Sequence, residues 1–355
     1  NRSHSRSNGH DLNVGFNYSD DTWMFNASLG VTPQKRTIDR KVGKLYADTT
    51  MRTIDYQPMI WLSWRKKKMR VSLNYNGRTR QPSLSDLMPL TDNSDPLYIT
   101  RGNPDLKQMF MHTMHVSFQH PSKGISANLG WQMEKNSVTQ VVLYDVQTGG
   151  RETYPINING NWNTYGSADW WKRFGHFSLK LSTSGRHSNR VSLINEDRSQ
   201  QPEKSTTRDT GLNCEMAASY QPTWGGFDFS TSWDYQYSLN SLNDNNTYTR
   251  YYNFRFDGYV DFPFGLQLRT DAGYILRSGT NIQKGEDDEI VWNARATWRF
   301  LKQRKAELSA CWADILGKRK SYARMATSDG FYESRTQEIK GYFIVTFKYN
   351  FRLMM

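Results

Sequence analysis

Apolar and polar residues alternate along the last stretch of the chain. Between residues 341 and 351 the odd positions are small, apolar or aromatic, and from Thr346 onward the even positions are polar. Successive side chains of a β-strand point to opposite faces. The stretch therefore predicts a strand with one apolar face that ends in aromatic residues. The larger residues of that face are Phe343, Val345, Phe347, Tyr349 and Phe351.

The same alternation recurs along the whole chain and predicts about fifteen strands, each about ten residues long or longer. Trp23, Phe25 and Ala27, for example, share one face of an early strand. Two strands are predicted to be unusually long, one continuing from Ile125 to Tyr144 and one covering 153–171. The longer polar segments are predicted to be connections, at 33–52, 77–108, 186–208 and 317–338.

The predicted connections alternate in length. Short turns lie near positions 20, 66, 121, 173, 223, 263 and 303. The connections near 42, 92, 198, 244, 283 and 327 are mostly longer and more polar, and the one near 148 is a short exception. Outer-membrane barrels have such short periplasmic turns and longer external loops, whereas strands of a soluble sandwich typically have about five or six residues. We therefore predict an all-β fold over residues 1–355, an antiparallel transmembrane β-barrel.

The composition favours the same fold. Only 37% of the residues are hydrophobic, yet 14% are aromatic. A disordered chain lacks aromatic residues, whereas a membrane barrel combines a polar interior with aromatic girdles at both interfaces. No run approaches the roughly 18 apolar residues of a membrane-spanning helix. Seven tryptophans are predicted to lie in a girdle or to face lipid: Trp23, Trp64, Trp131, Trp170, Trp171, Trp298 and Trp312.

The net charge of +12 could indicate a nucleic-acid partner. The basic clusters, however, lie in predicted tight turns and not along one element with interleaved aromatics, so we predict no nucleic-acid partner. The clusters at 65–68, 172–173 and 302–305 fall at the rim assigned to the periplasm. There they either meet phospholipid headgroups or form solvated turns, and the sequence leaves both interpretations open.

Candidate chemistry is sparse. His112 and His115 are three positions apart on a predicted strand and face opposite sides, so they cannot jointly hold a metal. The acidic tip 286–289 has the oxygen ligands that Ca²⁺ prefers, but a solvated loop is the favoured interpretation. Cys214 and Cys311 are far apart and predicted to be unpaired. Since common hydrolase motifs are also absent from the sequence, we predict no catalytic residue, metal site or cofactor, and no enzymatic activity.

The connection at 77–108 carries the most specific motif. Residues 102–107 read Gly-Asn-Pro-Asp-Leu-Lys. Gly102 permits unusual backbone dihedrals, and Pro104 fixes its own φ and pushes Asn103 toward extended geometry. These properties predict a rigid turn that places the following strand, which is a structural role. The motif residues of the whole connection are Pro82, Leu84, Leu87, Asp95, Pro96, Gly102, Asn103, Pro104, Asp105 and Leu106.

This motif resembles the GNPDLKPE segment of TonB-dependent receptor barrels, and in detail the outer-membrane β-barrel family allied to them. The aromatic-ended last strand is similar to the closing strand of such barrels. One departure is that Gln108 and Met109 stand where the receptors usually have Pro-Glu. The resemblance implies a location in the bacterial outer membrane and the C-terminal part of a barrel of about 22 strands. An odd count such as fifteen does not close in the usual antiparallel scheme. Either the count is wrong by one, or the chain is a fragment whose upstream strands, together with the plug domain that the resemblance implies, are missing.

The resemblance also implies a function and partners. The implied function is uptake of a glycan, peptide or metal chelate, energised by TonB through the missing plug. The implied partners are outer-membrane lipid, TonB, the barrel-assembly machinery and, as an option, a surface lipoprotein. Two alternatives stay open, a passive or structural barrel in adhesion or assembly, and an outer-membrane hydrolase. The chain opens at Asn1 without a methionine, and we expect a fragment or else a mature product.

Overall fold

The computed structural model consists almost entirely of β-strands. It describes residues 2–42, 45–89, 91–145, 147–195, 202–242, 246–280, 282, 288–319, 321–326, 331–336 and 338–350. One short helix, α1 (Leu84–Leu87), and two 3-10 turns, Pro121–Lys123 and Lys302–Arg304, lie between strands. The strands are β1 Arg2–Gly9, β2 Leu12–Ser19, β3 Trp23–Val42, β4 Leu45–Lys66, β5 Met69–Arg80, β6 Thr91–Asp92, β7 Tyr98–Arg101, β8 Met109–His120, β9 Ile125–Lys135, β10 Ser137–Asp145, β11 Gly150–Ile158, β12 Trp162–Phe174, β13 Phe177–Asn195, β14 Glu203–Tyr220, β15 Gly225–Asn240, β16 Thr247–Asp261, β17 Leu266–Gly279, β18 Asp288–Phe300, β19 Ala306–Ala313, β20 Ser321–Ala326, β21 Phe331–Thr336 and β22 Tyr342–Tyr349.

Most strands form one antiparallel meander, which we call the wall. Its order is β3, β4, β5, β8, β9, β12 through β19, and β22, each hydrogen-bonded to the next. At the first edge β1 and β2 lie end to end along β3. The described part of the chain therefore has fifteen strand positions in the wall, which confirms the all-β antiparallel fold. The outer sides of β2 and β22 pair with no described strand, and both strands are exposed along their whole length.

All seven predicted tight turns join neighbouring wall strands, and the meander places them at one rim. In the first of them, Oδ1 of Asp20 accepts hydrogen bonds from the backbone N–H groups of Trp23 (2.6 Å) and Thr22 (2.7 Å). The bond from Trp23 and, to a smaller extent, that from Thr22 stabilise the charged carboxylate and so hold the pKa of Asp20 below its ordinary value. Gly124 and Gly265 occupy positive φ values of 66° and 88° in two other turns, a conformation that favours glycine.

Two of the predicted connections are largely strand, so their predicted boundaries were wrong. β3 and β4 cover nearly all of 33–52, and β13 and β14 extend well into 186–208. Polar side chains join these extensions, as in the 2.6 Å bond from Nε2 of Gln34 to Oδ2 of Asp55. Since these extensions are rich in polar residues, the apolar alternation that predicts strands is missing there. The other connections contain short elements: α1, β6 and β7 in 77–108, and the separate hairpin β20–β21 in 317–338.

The two longest predicted strands are also interrupted, which corrects the expectation that they continue to Tyr144 and across 153–171. The first breaks at Asn136, whose φ is 55°, a left-handed conformation that asparagine tolerates better than most residues. The backbone N–H of Asn136 donates to Oδ1 of Asn159 (2.8 Å), and Nδ2 of Asn157 donates to the carbonyl of Asn136 (2.9 Å). β9 therefore pairs directly with β12, and β10 and β11 leave the wall as a hairpin. We call this junction the asparagine corner: Asn136, Asn157, Asn159 and Asn161.

Candidate functional site

The register of the wall separates an apolar face from a polar face. Directly paired residues of antiparallel strands project to the same side. Across β13 to β16 one row of pairs is mostly apolar and the adjacent row is polar. We use the names apolar face and polar face for these two sides of the wall. The first row is Leu181, Met216, Thr231 and Phe254, and the second is Ser182, Glu215, Ser232 and Asn253.

Charged side chains pair with one another on the polar face. Among the described residues, five ion pairs join neighbouring strands between β13 and β19, and each of their ten members belongs to the polar face by register. In outer-membrane barrels the apolar side meets lipid and the polar side faces a watery interior. The pairs are Arg190–Asp209 at 2.6 Å, Lys180–Glu215 at 3.9 Å, Arg269–Asp257 at 2.9 Å, Arg277–Glu289 at 2.6 Å and Arg299–Glu307 at 2.9 Å.

Six of the seven tryptophans assigned to a girdle or to lipid lie on the apolar face, as predicted. Trp23 pairs with Trp64, and Trp298 lies in the same face further along the wall. Trp171 is the exception, because it pairs with Lys180 on the polar face. The prediction for Trp171 was therefore wrong. The tandem of Trp170 and Trp171 necessarily places one indole on each side of a strand.

A polar pocket of about 430 Å³ lies on the polar face beside the asparagine corner. The corner shapes it, since the carbonyl of Asn161 accepts from the N–H of Glu134 (3.0 Å) and Oδ1 of Asn161 accepts from the N–H of Val191 (2.8 Å). These two bonds tie the end of β9 to the upper part of β13. We call this the wall pocket, and its charged and amide residues are Gln132, Glu134, Asn161, Asn163, Arg186, Asn189, Arg190 and Asp209.

The wall pocket contains one unpaired cation. The Glu134 carboxylate accepts from the Ser137 hydroxyl at 2.7 Å, and Asp209 accepts from Arg190 at 2.6 Å and from the Ser238 hydroxyl at 2.8 Å. Arg186 is exposed, and no residue in the described part of the chain pairs with it. A free guanidinium offers a planar fork of donors that fits a carboxylate or phosphate.

Sequence reasoning missed the wall pocket. Its residues come from β9, β12, β13 and β14, and they span positions 132 to 209. The one available signal for these residues was alternation along each strand, in which every second residue belongs to the polar face. Arg186 and Arg190 are at such positions of β13. Every wall strand alternates in this way, so alternation does not distinguish the pocket residues from other residues of the polar face.

The motif residues of 77–108 converge around α1. Ser83 caps α1 by accepting from the N–H of Asp86 (3.2 Å), and the N–H of Asn103 donates to the carbonyl of Asp86 (2.6 Å). Leu87 and Leu106 are buried together with Met88, and Leu84 packs against them. Asp95 caps the turn before β7 through its 2.9 Å bond from the N–H of Leu97. Among the remaining motif residues, the Asp105 N–H donates to Asn103, Pro82 accepts from Arg36, and Pro96 and Pro104 are exposed.

Replacing Gly102 with alanine is expected to destabilise the protein by about 1–3 kcal/mol. A Cβ at Gly102 would lie 1.8 Å from the carbonyl oxygen of Met88, so the backbone at one of the two sites has to move. Gly273→Ala is the matched control, because no atom lies within 4 Å of its Cβ position. Urea unfolding of the detergent-solubilised protein, followed by tryptophan fluorescence, measures both. Equal unfolding midpoints for the two variants would contradict the packing described around α1.

Histidines and acidic residues do not converge in the described structure. His112 and His115 lie on opposite faces, since His112 pairs with Gly77 and His115 with Asn74. No group of three or more His, Cys, Asp or Glu among the described residues is arranged to hold a metal ion. Of the acidic tip, 286–287 lie outside the described residues, and Glu289 pairs with Arg277.

Cys214 and Cys311 are both free thiols, as predicted. Phe351 of the predicted last strand also lies outside the described residues.

The fold and its two-faced wall define the class of the protein as an outer-membrane β-barrel protein. Residues 46–207 match the model of the outer membrane protein beta-barrel family. That model is not specific to TonB-dependent receptors. The protein is located in the bacterial outer membrane. No described helix is long and apolar enough to cross a membrane.

Two kinds of solved structure are similar to this chain. OmpT, an outer membrane protein of Vibrio cholerae, shares 8% identity at a TM-score of 0.32, and the match covers 98% of this chain and 96% of OmpT. A bacterial polysaccharide outer membrane secretin shares 10% identity at a TM-score of 0.29, with 93% and 91% covered. No curated protein matches the sequence.

Proposed function

We propose that the polar face lines a route for a polar solute across the outer membrane, and that the protein acts in TonB-dependent uptake. The observation that carries the proposal is the gathering of five ion pairs on one side of the wall. Charged residues at membrane depth face water-filled cavities and mark routes for ions and solutes. The resemblance of 102–107 to the receptor segment supports the TonB dependence. The proposed partners are TonB, outer-membrane lipid, the barrel-assembly machinery and a surface lipoprotein.

The wall pocket is the proposed first contact of the solute with the wall. Its free Arg186 attracts an anionic group, while Gln132 and Glu134 offer acceptors for hydroxyl or amide hydrogens. This combination fits an acidic oligosaccharide, an acidic peptide or a carboxylate metal chelate.

The protein is proposed to bind and pass its solute without chemical change. A fluorophosphonate probe is accordingly expected to label none of its serines.

Uptake by intact cells tests the proposal. Cells that express the protein from its full-length reading frame are given radiolabelled oligogalacturonate, an acidic tripeptide or ferric citrate, and accumulation is measured with and without TonB. The expected result is accumulation of at least one probe, which falls to background without TonB. Accumulation that does not change when TonB is removed would contradict energised uptake and favour the passive barrel.

The variant Arg186→Gln is expected to reduce uptake of the acidic probe about tenfold, since a hydrogen bond to a charged group contributes about 1.5–3 kcal/mol. Arg295→Gln is the matched control, because Arg295 is an exposed arginine on the polar face outside the wall pocket. Initial uptake rates are compared at equal surface expression. Equal uptake rates for the two variants would contradict the claim that the solute contacts the wall pocket.

A further inference from the structure

A groove of about 600 Å³ lies on the apolar face of the wall, across β9 and β12 to β15. Bulky side chains from one row of the register line one side of it, namely Trp170, Leu181 and Met216. The adjacent row carries the short side chains Ala168, Thr183 and Cys214 and ends at Trp233. We call this the outer groove. On the apolar side it is a strip of short residues bounded by large ones. Four further residues border the groove but belong to the polar face by register: Asp169, Ser182, Glu215 and Ser232.

The outer groove lies close to the rim of tight turns. Leu181 is four residues beyond Phe177, where β13 leaves the rim of tight turns. With a rise of about 3.3 Å per residue and a tilt of about 45°, this places Leu181 roughly 9 Å above that rim. Tight turns of outer-membrane barrels face the periplasm. The groove is therefore at the depth of the acyl chains of the periplasmic leaflet.

Two lysines lie at the periplasmic end of the groove. Lys172 is on the apolar face two residues from Trp170, and its Nζ lies 5.0 Å from the centre of the Phe174 ring. Lys123 is in the neighbouring tight turn, next to Gly124, whose carbonyl accepts from the N–H of Trp171 at 2.9 Å. No described Asp or Glu lies on the apolar face between the groove and this rim. The positive charge there is thus available to a phosphate.

We propose that the outer groove holds one acyl chain of a phospholipid of the periplasmic leaflet, with its phosphate beside Lys172 and Lys123. Lipid tails are as apolar as the groove, so the hydrophobic effect does not select this site. Selection comes from the fit of one chain along the short residues, together with the attraction of the two lysines for the headgroup. The proposal is independent of the uptake function.

Native mass spectrometry of the full chain tests the groove. The protein is purified in a mild detergent and titrated with palmitoyl-oleoyl phosphatidylglycerol. Cys214→Phe fills the groove and is expected to weaken binding of the first lipid at least tenfold, and Lys172→Gln is expected to weaken it about fivefold. Ala296→Phe is the matched control, since Ala296 lies on the apolar face outside the groove. Equal lipid binding by the Cys214 and Ala296 variants would overturn the proposal.

A second measurement leaves the groove intact. Cys214 is exposed in the outer groove, whereas Cys311 lies on the polar face and is an internal reference. In detergent, added phosphatidylglycerol is expected to slow alkylation of Cys214 by N-ethylmaleimide relative to Cys311, and to slow it less in Lys172→Gln. A rate ratio that phosphatidylglycerol does not change would count against an occupied groove.

Discussion

Replacing Arg277 with leucine is expected to destabilise the protein by about 3–5 kcal/mol. The side chains of Arg277 and Glu289 are only 8% and 10% exposed, and their charged atoms lie 2.6 Å apart. Removing the guanidinium takes away the positive charge 2.6 Å from the buried Glu289 carboxylate, and breaking a buried pair on one side costs more stability than the intact pair contributes. Urea unfolding of the refolded protein in lipid vesicles, followed by tryptophan fluorescence, measures the loss.

Two further variants make this result specific. Lys180→Leu breaks an exposed pair, with side chains 52% and 39% exposed and 3.9 Å apart, so it is expected to cost less than about 1 kcal/mol. The double variant Arg277→Leu with Glu289→Leu is expected to recover most of the lost stability, because both members of the buried pair are replaced together by apolar side chains. A loss for Arg277→Leu that is no larger than the loss for Lys180→Leu would contradict the described burial.

Replacing Leu129 with arginine is expected to cost about 2–4 kcal/mol in a bilayer. Leu129 lies on the apolar face of β9 and is 58% exposed, so in water an arginine would be tolerated there. In lipid the guanidinium has no water to solvate it, and the folded state loses stability in proportion to depth. The same vesicle unfolding experiment gives the value.

The neighbouring residue supplies the control. Asn128 points to the polar face, opposite Ser117 and Ser167, which carry no charge. Asn128→Arg is therefore expected to change stability by less than about 1 kcal/mol. If the arginine at 129 is tolerated as well as the arginine at 128, the apolar face does not meet lipid.

The wall was predictable because its signal is local. Each strand that crosses the membrane must alternate, so a sequence such as Trp23, Phe25 and Ala27 reports its own structure without reference to any neighbour. Tight turns such as that at Asp20 carry their own residue chemistry. These two signals predicted the number of wall strands and the single rim of short turns.

The remaining features depend on information that is not local. The extensions of β3 and β4 beyond the alternating region are polar, and their pairing depends on cross-strand bonds such as Gln34 to Asp55. The break at Asn136 depends on Asn157 and Asn159, which lie more than twenty positions away. The wall pocket and the outer groove depend on which strands become neighbours. Alternation in a single sequence does not reveal those neighbours.

The two native cysteines offer the most direct test of the two-faced wall. Cys214 pairs with Thr183 and Trp233 on the apolar face, and Cys311 pairs with Arg295 on the polar face. The wild-type protein is reconstituted in lipid vesicles, treated with a charged, membrane-impermeant maleimide, and digested for mass spectrometry. We predict that Cys311 is labelled and that Cys214 is protected until detergent or denaturant removes the lipid. Labelling of Cys214 in the intact bilayer as fast as Cys311 would contradict the account.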